Sequence, residues 1–190
     1  MHVNISNIIQ QSISIKQEML NSSMLHQQIE HAVNIITKAF SNGNRVWLCG
    51  NGGSAADAQH IAAEFSGRFY KDRKPLPAEA LHVNSSYITA VANDYGYAQV
   101  YARMLEGAAQ SGDVLIGIST SGNSENVLKA MEKGREMNVT TIALTGKKAG
   151  KIASFSDIIL QVPSEDTPRI QEAHILIGHI ICELVETSLF

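Results

Sequence analysis

The chain has 190 residues, 44% of them hydrophobic and 17% charged, which is the size and balance of a soluble globular protein of one domain with room for a helical extension. Its formal charge of −3, from 15 Lys plus Arg against 18 Asp plus Glu, supplies no broad attraction for nucleic acid or an anionic membrane, and neither is expected as a partner. Cys49 and Cys182 lie in apolar runs and not in a CxxC pair, which argues against a disulfide framework or a thiolate zinc site and predicts two buried thiols.

The opening string MHVNISNIIQQSISIKQEML lacks the basic start, unbroken apolar core and small-residue cleavage site of a secretory signal. No stretch reaches the ~20 apolar residues of a membrane span, so a cytoplasmic location is expected. Ile5, Ile8, Ile9 and Ile13, then Met19 and Leu20, recur at helical spacing. Ile29, Val33, Ile36 and Phe40 do so again until Asn42 and Gly43 stop the pattern, predicting two amphipathic helices. Beyond Gly43 the period changes. Val46 to Cys49, Ala78 to Leu81, Val114 to Ile118, Thr141 to Leu144 and Ile158 to Val162 are short apolar runs bounded by Gly, Pro, Asn or Asp.

Such strands, separated by helical segments, imply a parallel α/β sheet covered on both faces. Helices are expected over 54–68, over 86–107 with a break near Gly96, over 124–137 and briefly near 148–155. A last helix starts at Thr167 as N-cap, with Pro168 at the first helical position, and runs almost to Phe190. It is apolar over more of its circumference than one sheet-facing stripe requires, from Ile170 through Ile175, Leu176, Ile177, Ile180, Ile181 and Leu184 to Val185; part of it is expected in a subunit interface. No repeat or linker divides the chain, so one domain over 1–190 is expected, with a helical arm over 1–43 and an α/β core over 44–190.

Two loops carry ligand-binding character. In WLCGNGGSAADAQH, Gly50, Gly52 and Gly53 let the backbone turn and approach a ligand closely, and Ser54 is expected to cap the next helix with Asp57 as its capping-box partner. The string also fits GxGxxA at Gly50, Gly52 and Ala55, a variant of the dinucleotide fingerprint. That reading fails its context, because the next strand, in AEALHVN, ends without an acid for a ribose hydroxyl. In LIGISTSGNSENVLKAM a strand runs into Ser119, Thr120, Ser121, Gly122, Asn123 and Ser124 before a helix, gathering hydroxyls and amides where a helix N-terminus favours an anion. No Lys follows as in a nucleotide P-loop, and Ser-rich caps without ligands are common. Two such loops at strand ends of one sheet point more strongly to a ligand.

His60 and Glu64 are spaced to share a helix face, which suits an ordinary surface pair, shared metal ligation or a base beside a polarising group. Gln171 and His179 stand two turns apart on neighbouring faces of the last helix, able to converge only by reaching or from different subunits. His174, like His179, can equally be a buried, hydrogen-bonded helix histidine.

The strings CGNGGSAADAQHIAAEFSGRF, VANDYGY, GDVLIGISTSGNSENV, TIALTGKKAGK and PRIQEAHILIGHIICEL, in this order over essentially the whole chain, resemble the SIS (sugar isomerase) domain family and within it the phosphoheptose isomerases. The resemblance implies a three-layer α/β sandwich with a five-stranded parallel sheet. It implies an aldose–ketose isomerisation of sedoheptulose 7-phosphate to D-glycero-D-manno-heptose 7-phosphate through an enediol, for bacterial lipopolysaccharide. It further implies a homotetramer with active sites at subunit interfaces and one zinc in each, held by His60, Glu64, Gln171 and His179.

By the same resemblance Glu64 is the base between C1 and C2 and His179 its acid/base partner. Ser119, Thr120, Ser121 and Ser124 hold the phosphate, and Asn51, Gly52, Gly53, Glu64, Asn93, Asp94 and Gln171 contact the sugar; Arg68 is a weaker candidate. Some relatives have Asp immediately before RIQE where this chain has Pro168. The alternative from the same superfamily is a non-catalytic binding protein of the DnaA initiator-associating type, which the ending ELVETSLF resembles slightly. Such a protein is expected to lack the Glu64 and His179 pair, and a phosphosugar sensor without turnover would tolerate its loss.

Overall fold

Residues 4–190 are described by a computed structural model of the chain. Helices α1 (Ile5–Leu20) and α2 (Ser23–Ser41) precede strand β1 (Val46–Gly50), helix α3 (Gly53–Ser66) and strand β2 (Ala78–Ala80). There follow α4 (Ser85–Tyr95), a 3-10 turn (Tyr97–Gln99), α5 (Val100–Ala108), β3 (Val114–Ser119), α6 (Glu125–Glu136), β4 (Thr140–Thr145), a second 3-10 turn (Lys151–Phe155), β5 (Ile158–Gln161) and α7 (Thr167–Leu189).

The five strands form one parallel sheet in the order β2-β1-β3-β4-β5. Alternation along each strand explains why the runs are apolar throughout. Val46, Leu48, Val114, Ile116 and Ile118 pack toward α2, α3 and α7, whereas Trp47, Cys49, Leu115 and Ala143 pack toward α5 and α6. With helices on both faces, neither set of side chains meets water. The predicted three-layer α/β sandwich is therefore present. Strand order reverses at β1, whose neighbours β2 and β3 lie on opposite sides; ligands of open α/β sheets bind at this kind of switch point. The Gly-rich loop leaves β1 there and the Ser loop leaves β3 beside it.

At the opposite edge Asp113 is fully buried. Its carboxylate accepts from the Arg45 and Gln110 backbone N–H groups at 2.9 and 3.0 Å, from Trp47 Nε1 at 2.9 Å and from Asn44 Nδ2 at 3.2 Å. Four donors satisfy a charge that burial would otherwise penalise.

Several local expectations shift. Gly52, at φ +55°, caps α3, so the helix starts one residue before Ser54, which is buried inside the first turn. Asp57 is then too far along for a capping box, and its Oδ2 has no hydrogen-bond partner. The helix expected over 86–107 is two helices joined by the 3-10 turn after Gly96, and the short helix near 148–155 is a 3-10 turn. Asp166, not Thr167, occupies the cap position of α7. Cys49 and Cys182 are both free and buried as expected; burial pushes the Cys49 thiol up to about 12 and raises that of Cys182. No helix among the described residues is long and apolar enough to cross a membrane.

Candidate active site

The two loops are tied together. Asn51 of the Gly-rich loop and Asn126 in the first turn of α6 exchange amide hydrogen bonds, each 2.8 Å. Tyr97 donates to Asn51 Oδ1 at 3.3 Å, and the Tyr101 hydroxyl donates to the Gly50 carbonyl. Most of the Asn51 side chain is thus committed to holding the loops in register, with one N–H left over. At Gly53 a Cβ would come within 2.5 Å of the Gln171 amide, so glycine here lets α7 approach the start of α3.

In the Ser loop the Ser119 and Ser124 hydroxyls lie 3.0 Å apart, and Ser121 Oγ accepts from the Asn123 N–H at 3.2 Å. Gly122, at φ +65°, sits so close to the Ala149 carbonyl that a Cβ would fall onto it. The loop is pinned to the segment after β4 by bonds from Gly146 N–H to Thr120 O (3.1 Å) and from Lys151 N–H to Asn123 Oδ1 (3.1 Å). Thr120, Ser121, Asn123, Lys147 and Lys148, with the start of α7, line a cavity of about 240 Å³. The two lysines escape a sequence reading centred on Ser119 to Ser124; the signal was the GKK run after β4. Lys148 pairs with Glu165 at 2.9 Å across the surface.

A second group lies further down the seam between α3 and α7. His60 Nε2 is 3.1 Å from Glu64 Oε1, and His179 crosses from α7 with its ring centroid 5.1 Å from that of His60, edge to face. One ligand atom from each of the three can be chosen so that all lie within 4.8 Å of one another. The helices come close enough for this because residue 178 is glycine; a Cβ there would collide with Ile61. Glu64 is mostly buried, its side chain 23% exposed, while His60 is 51% exposed. On the same helix, burial raises the Asp57 carboxyl and nearby His60 partly opposes the rise.

Three of the four expected ligands are therefore brought together. Gln171 stands against Gly53, ~12 Å along α7 from His179 at the ordinary helical rise. Asn93 and Asp94 are exposed on the last turn of α4, bonded to each other at 2.8 Å, and Arg68 is exposed. Two imidazoles and a carboxylate suit Zn²⁺ or a similar divalent ion, and three protein donors leave coordination positions open. His174 has no such role: it is fully buried and neither ring nitrogen has a hydrogen-bond partner.

The SIS domain model matches residues 9–146. A phosphoheptose isomerase of Clostridium acetobutylicum is 53% identical over 182 residues, covering 96% of this chain and 93% of that one. The chain belongs to the SIS domain family, among its phosphoheptose isomerases. A phosphoheptose isomerase of Nitratiruptor sp. is 58% identical over 154 residues, 81% of this chain and 82% of its own. The solved phosphoheptose isomerase of Neisseria gonorrhoeae superposes with a TM-score of 0.90 at 40% identity, covering 96% of this chain and 97% of that one. That of Francisella tularensis gives 0.92 at 36% identity, with 96% of each chain covered. This sugar-phosphate isomerase family shares the whole SIS fold described above, arm included.

Proposed function

We propose that this SIS domain protein interconverts sedoheptulose 7-phosphate and D-glycero-D-manno-heptose 7-phosphate in bacterial heptose biosynthesis for the cell envelope. The observation that carries this reading is the convergence of His60, Glu64 and His179 from two helices far apart in sequence, in a chain about half identical to phosphoheptose isomerases.

Glu64 is assigned the carbon-bound proton. Its carboxylate removes a proton from C1 of the ketose while the C2 oxygen gains one, forming the enediol. It then delivers its proton to C2 as the C1 hydroxyl gives its own up and becomes the aldehyde. His179 serves the oxygens, since an imidazole offers one nitrogen that can donate a proton and one that can accept it. Partial burial of Glu64 keeps its carboxylate short of water, and the His60 and His179 rings meet edge to face beside it.

Zinc is the ion proposed for His60, Glu64 and His179, with Gln171 as fourth ligand, and when bound it would stabilise negative charge on the substrate oxygens. A carboxylate has two oxygens, so Glu64 can hold an ion with one and a proton with the other. Ser119, Thr120, Ser121 and Ser124 are assigned the phosphate, aided by the α6 N-terminus and by Lys147 and Lys148. Asn51, Gly52, Gly53, Asn93, Asp94 and Gln171 are assigned the sugar chain.

At the ordinary helical rise these halves stand about two turns apart along α3. His60 lies ~10 Å along α3 from Gly53 at the helical rise, toward the sheet edge opposite the Ser loop. A second copy supplying Gln171 and the phosphate loop would complete the site, and the exposed Ile5, Ile8, Ile9 and Ile13 of α1 offer apolar surface for assembly. We therefore infer a homotetramer of single-domain subunits with sites at the interfaces; sedimentation as a monomer would overturn it. Two buried free thiols accord with a reducing cytoplasm. The initiator-associating alternative is not favoured, since the proton-transfer pair is present and the half-identical relatives are named as isomerases.

The deciding experiment follows aldose formation from sedoheptulose 7-phosphate. Turnover by the wild-type protein, lost in Glu64→Gln and His179→Ala, is expected. No turnover with or without added zinc would sink the reading, and full activity in Glu64→Gln would remove that residue as base.

A further inference from the structure

The loop between α3 and β2 carries a buried ion pair that the assigned chemistry does not use. Arg73 and Glu186 side chains are 2% and 3% exposed, with Arg73 Nε donating to Glu186 Oε1 at 2.9 Å. Each then reaches toward a different part of the α3–α7 cluster. The guanidinium caps the end of α3: Nη2 donates to the Glu64 carbonyl at 2.9 Å, and Nη1 to the carbonyls of Phe65 at 2.7 Å and of Gly67 and Lys74 at 3.2 Å. These include carbonyls that a helix ending at Ser66 leaves without an intrahelical donor. Glu186 accepts the successive backbone N–H groups of Phe69, Tyr70 and Lys71 at 3.2, 2.9 and 2.9 Å. Burial pushes its carboxyl up, but those N–H groups and Arg73 outweigh that and hold it below the usual range.

The held loop puts the Phe69 ring 5.7 Å from the His179 ring, tilted by 40°. Glu186 stands two turns beyond His179 on nearly the same face of α7. One buried pair therefore grips the backbone of Glu64 on one side and, through Phe69, the ring of His179 on the other. A buried ion pair is weak evidence of a stability role, because desolvation offsets much of its attraction. Its bonds end on the backbone of the last turn of α3 and on the segment touching His179, where small displacements are costly to catalysis.

We propose that Arg73 and Glu186, with Phe69, are positioning residues that set the distance and tilt between the Glu64 carboxylate and the His179 imidazole. This rests on the roles assigned above to Glu64 and His179. The test uses Arg73→Lys, which keeps the charge beside Glu186 but cannot also reach the carbonyls of Glu64 and Phe65. It also uses Phe69→Leu, which keeps apolar bulk and loses the ring, and Phe69→Tyr, which keeps the ring.

Steady-state kinetics with sedoheptulose 7-phosphate, circular dichroism and zinc affinity by competition with a chromophoric chelator are measured on each purified protein. Arg73→Lys and Phe69→Leu are expected to stay folded and lose about tenfold or more in kcat with KM within about twofold. Their zinc affinity should fall about tenfold, as for other groups that orient ligands. Phe69→Tyr should keep kcat within about twofold of wild type. Folded Arg73→Lys and Phe69→Leu with wild-type kcat and zinc affinity would overturn the proposal. If Arg73→Lys does not fold, Phe69→Leu decides by the same criteria, since it alters neither charged side chain and keeps the Phe69 backbone N–H. An inactive Glu64→Gln beside an unaffected Phe69→Leu sinks this proposal alone; a fully active Glu64→Gln removes the base assignment and this proposal with it.

Discussion

The loop edge of the sheet and the seam between α3 and α7 hold their functional groups by different means. At the loop edge the geometry is backbone geometry. Gly52 and Gly122 take positive φ, Ser119 bonds Ser124 and Ser121 bonds Asn123 within a few residues, and a short segment after β4 locks the result. Along the seam the functional groups are side chains from distant segments, placed by packing through Gly178 and Ile61 and by the buried Arg73–Glu186 pair. In the proposed assignment many amides and hydroxyls share one anion at the edge, whereas single side chains carry separate tasks at the seam. Losses at the edge should therefore be graded and appear in KM, and losses at the seam should be steep and appear in kcat.

The steepest break in that contrast is expected at Glu64. Glu64→Gln should lower kcat about a thousandfold, within the range found for removing a general base, with KM changed little. Equal losses in kcat and 1/KM would show that Glu64 also binds the ground state.

Gly122→Ala tests whether the edge depends on backbone geometry. The methyl would strike the Ala149 carbonyl at a positive φ, so thermal or urea unfolding should show a loss of about 3 kcal/mol. The surviving folded protein should bind substrate more weakly. An unchanged midpoint would mean that the loop relaxes freely and is not locked.

A third probe is pH, through His174, which faces the core from α7 between the two regions. Burial lowers its pKa to about 4, with the Thr145 backbone partly opposing the fall. With a folded value below the ordinary ~6.5, the unfolded chain binds more protons between those limits. The stability this group allows is thus fully present above about pH 6.5 and is lost as pH falls toward 4, by about 2 kcal/mol at pH 5. His174→Leu should flatten that part of the stability–pH curve, measured by urea midpoints; an identical slope would assign the loss to other groups.

The smallest effect is expected from the hydroxyls. Ser119→Ala with Ser124→Ala should raise KM about tenfold, or about 1.4 kcal/mol, with kcat nearly kept. An unchanged KM would place the phosphate elsewhere.

Much of the fold was legible because its signals are local. Apolar runs of strand length between helical periods imply a parallel sheet covered on both faces, and all five strands formed where those runs lie. The His60–Glu64 pair was legible for the same reason, being one helical turn apart. The α7 cap shifted by one residue and the α3 cap by two, the latter because a glycine at positive φ starts the helix earlier than Ser54 could.

What local pattern could not supply is everything set by contacts between distant segments. The strand order β2-β1-β3-β4-β5 places both ligand loops at one switch point, and no periodicity encodes it. His179 reaching His60, Gln171 standing apart beside Gly53, and Lys147 and Lys148 turning toward the Ser loop all depend on how finished helices and loops dock. Arg73 and Glu186, 113 residues apart in the chain, become a buried frame once α7 lies along α3. The near-neutral composition remains true, but it averages over the molecule, whereas binding and proton transfer depend on which few charges and N–H groups end up facing one another. Short-range periodicity specifies the elements because backbone sterics act over a few residues; the site belongs to tertiary packing because its distances run between elements.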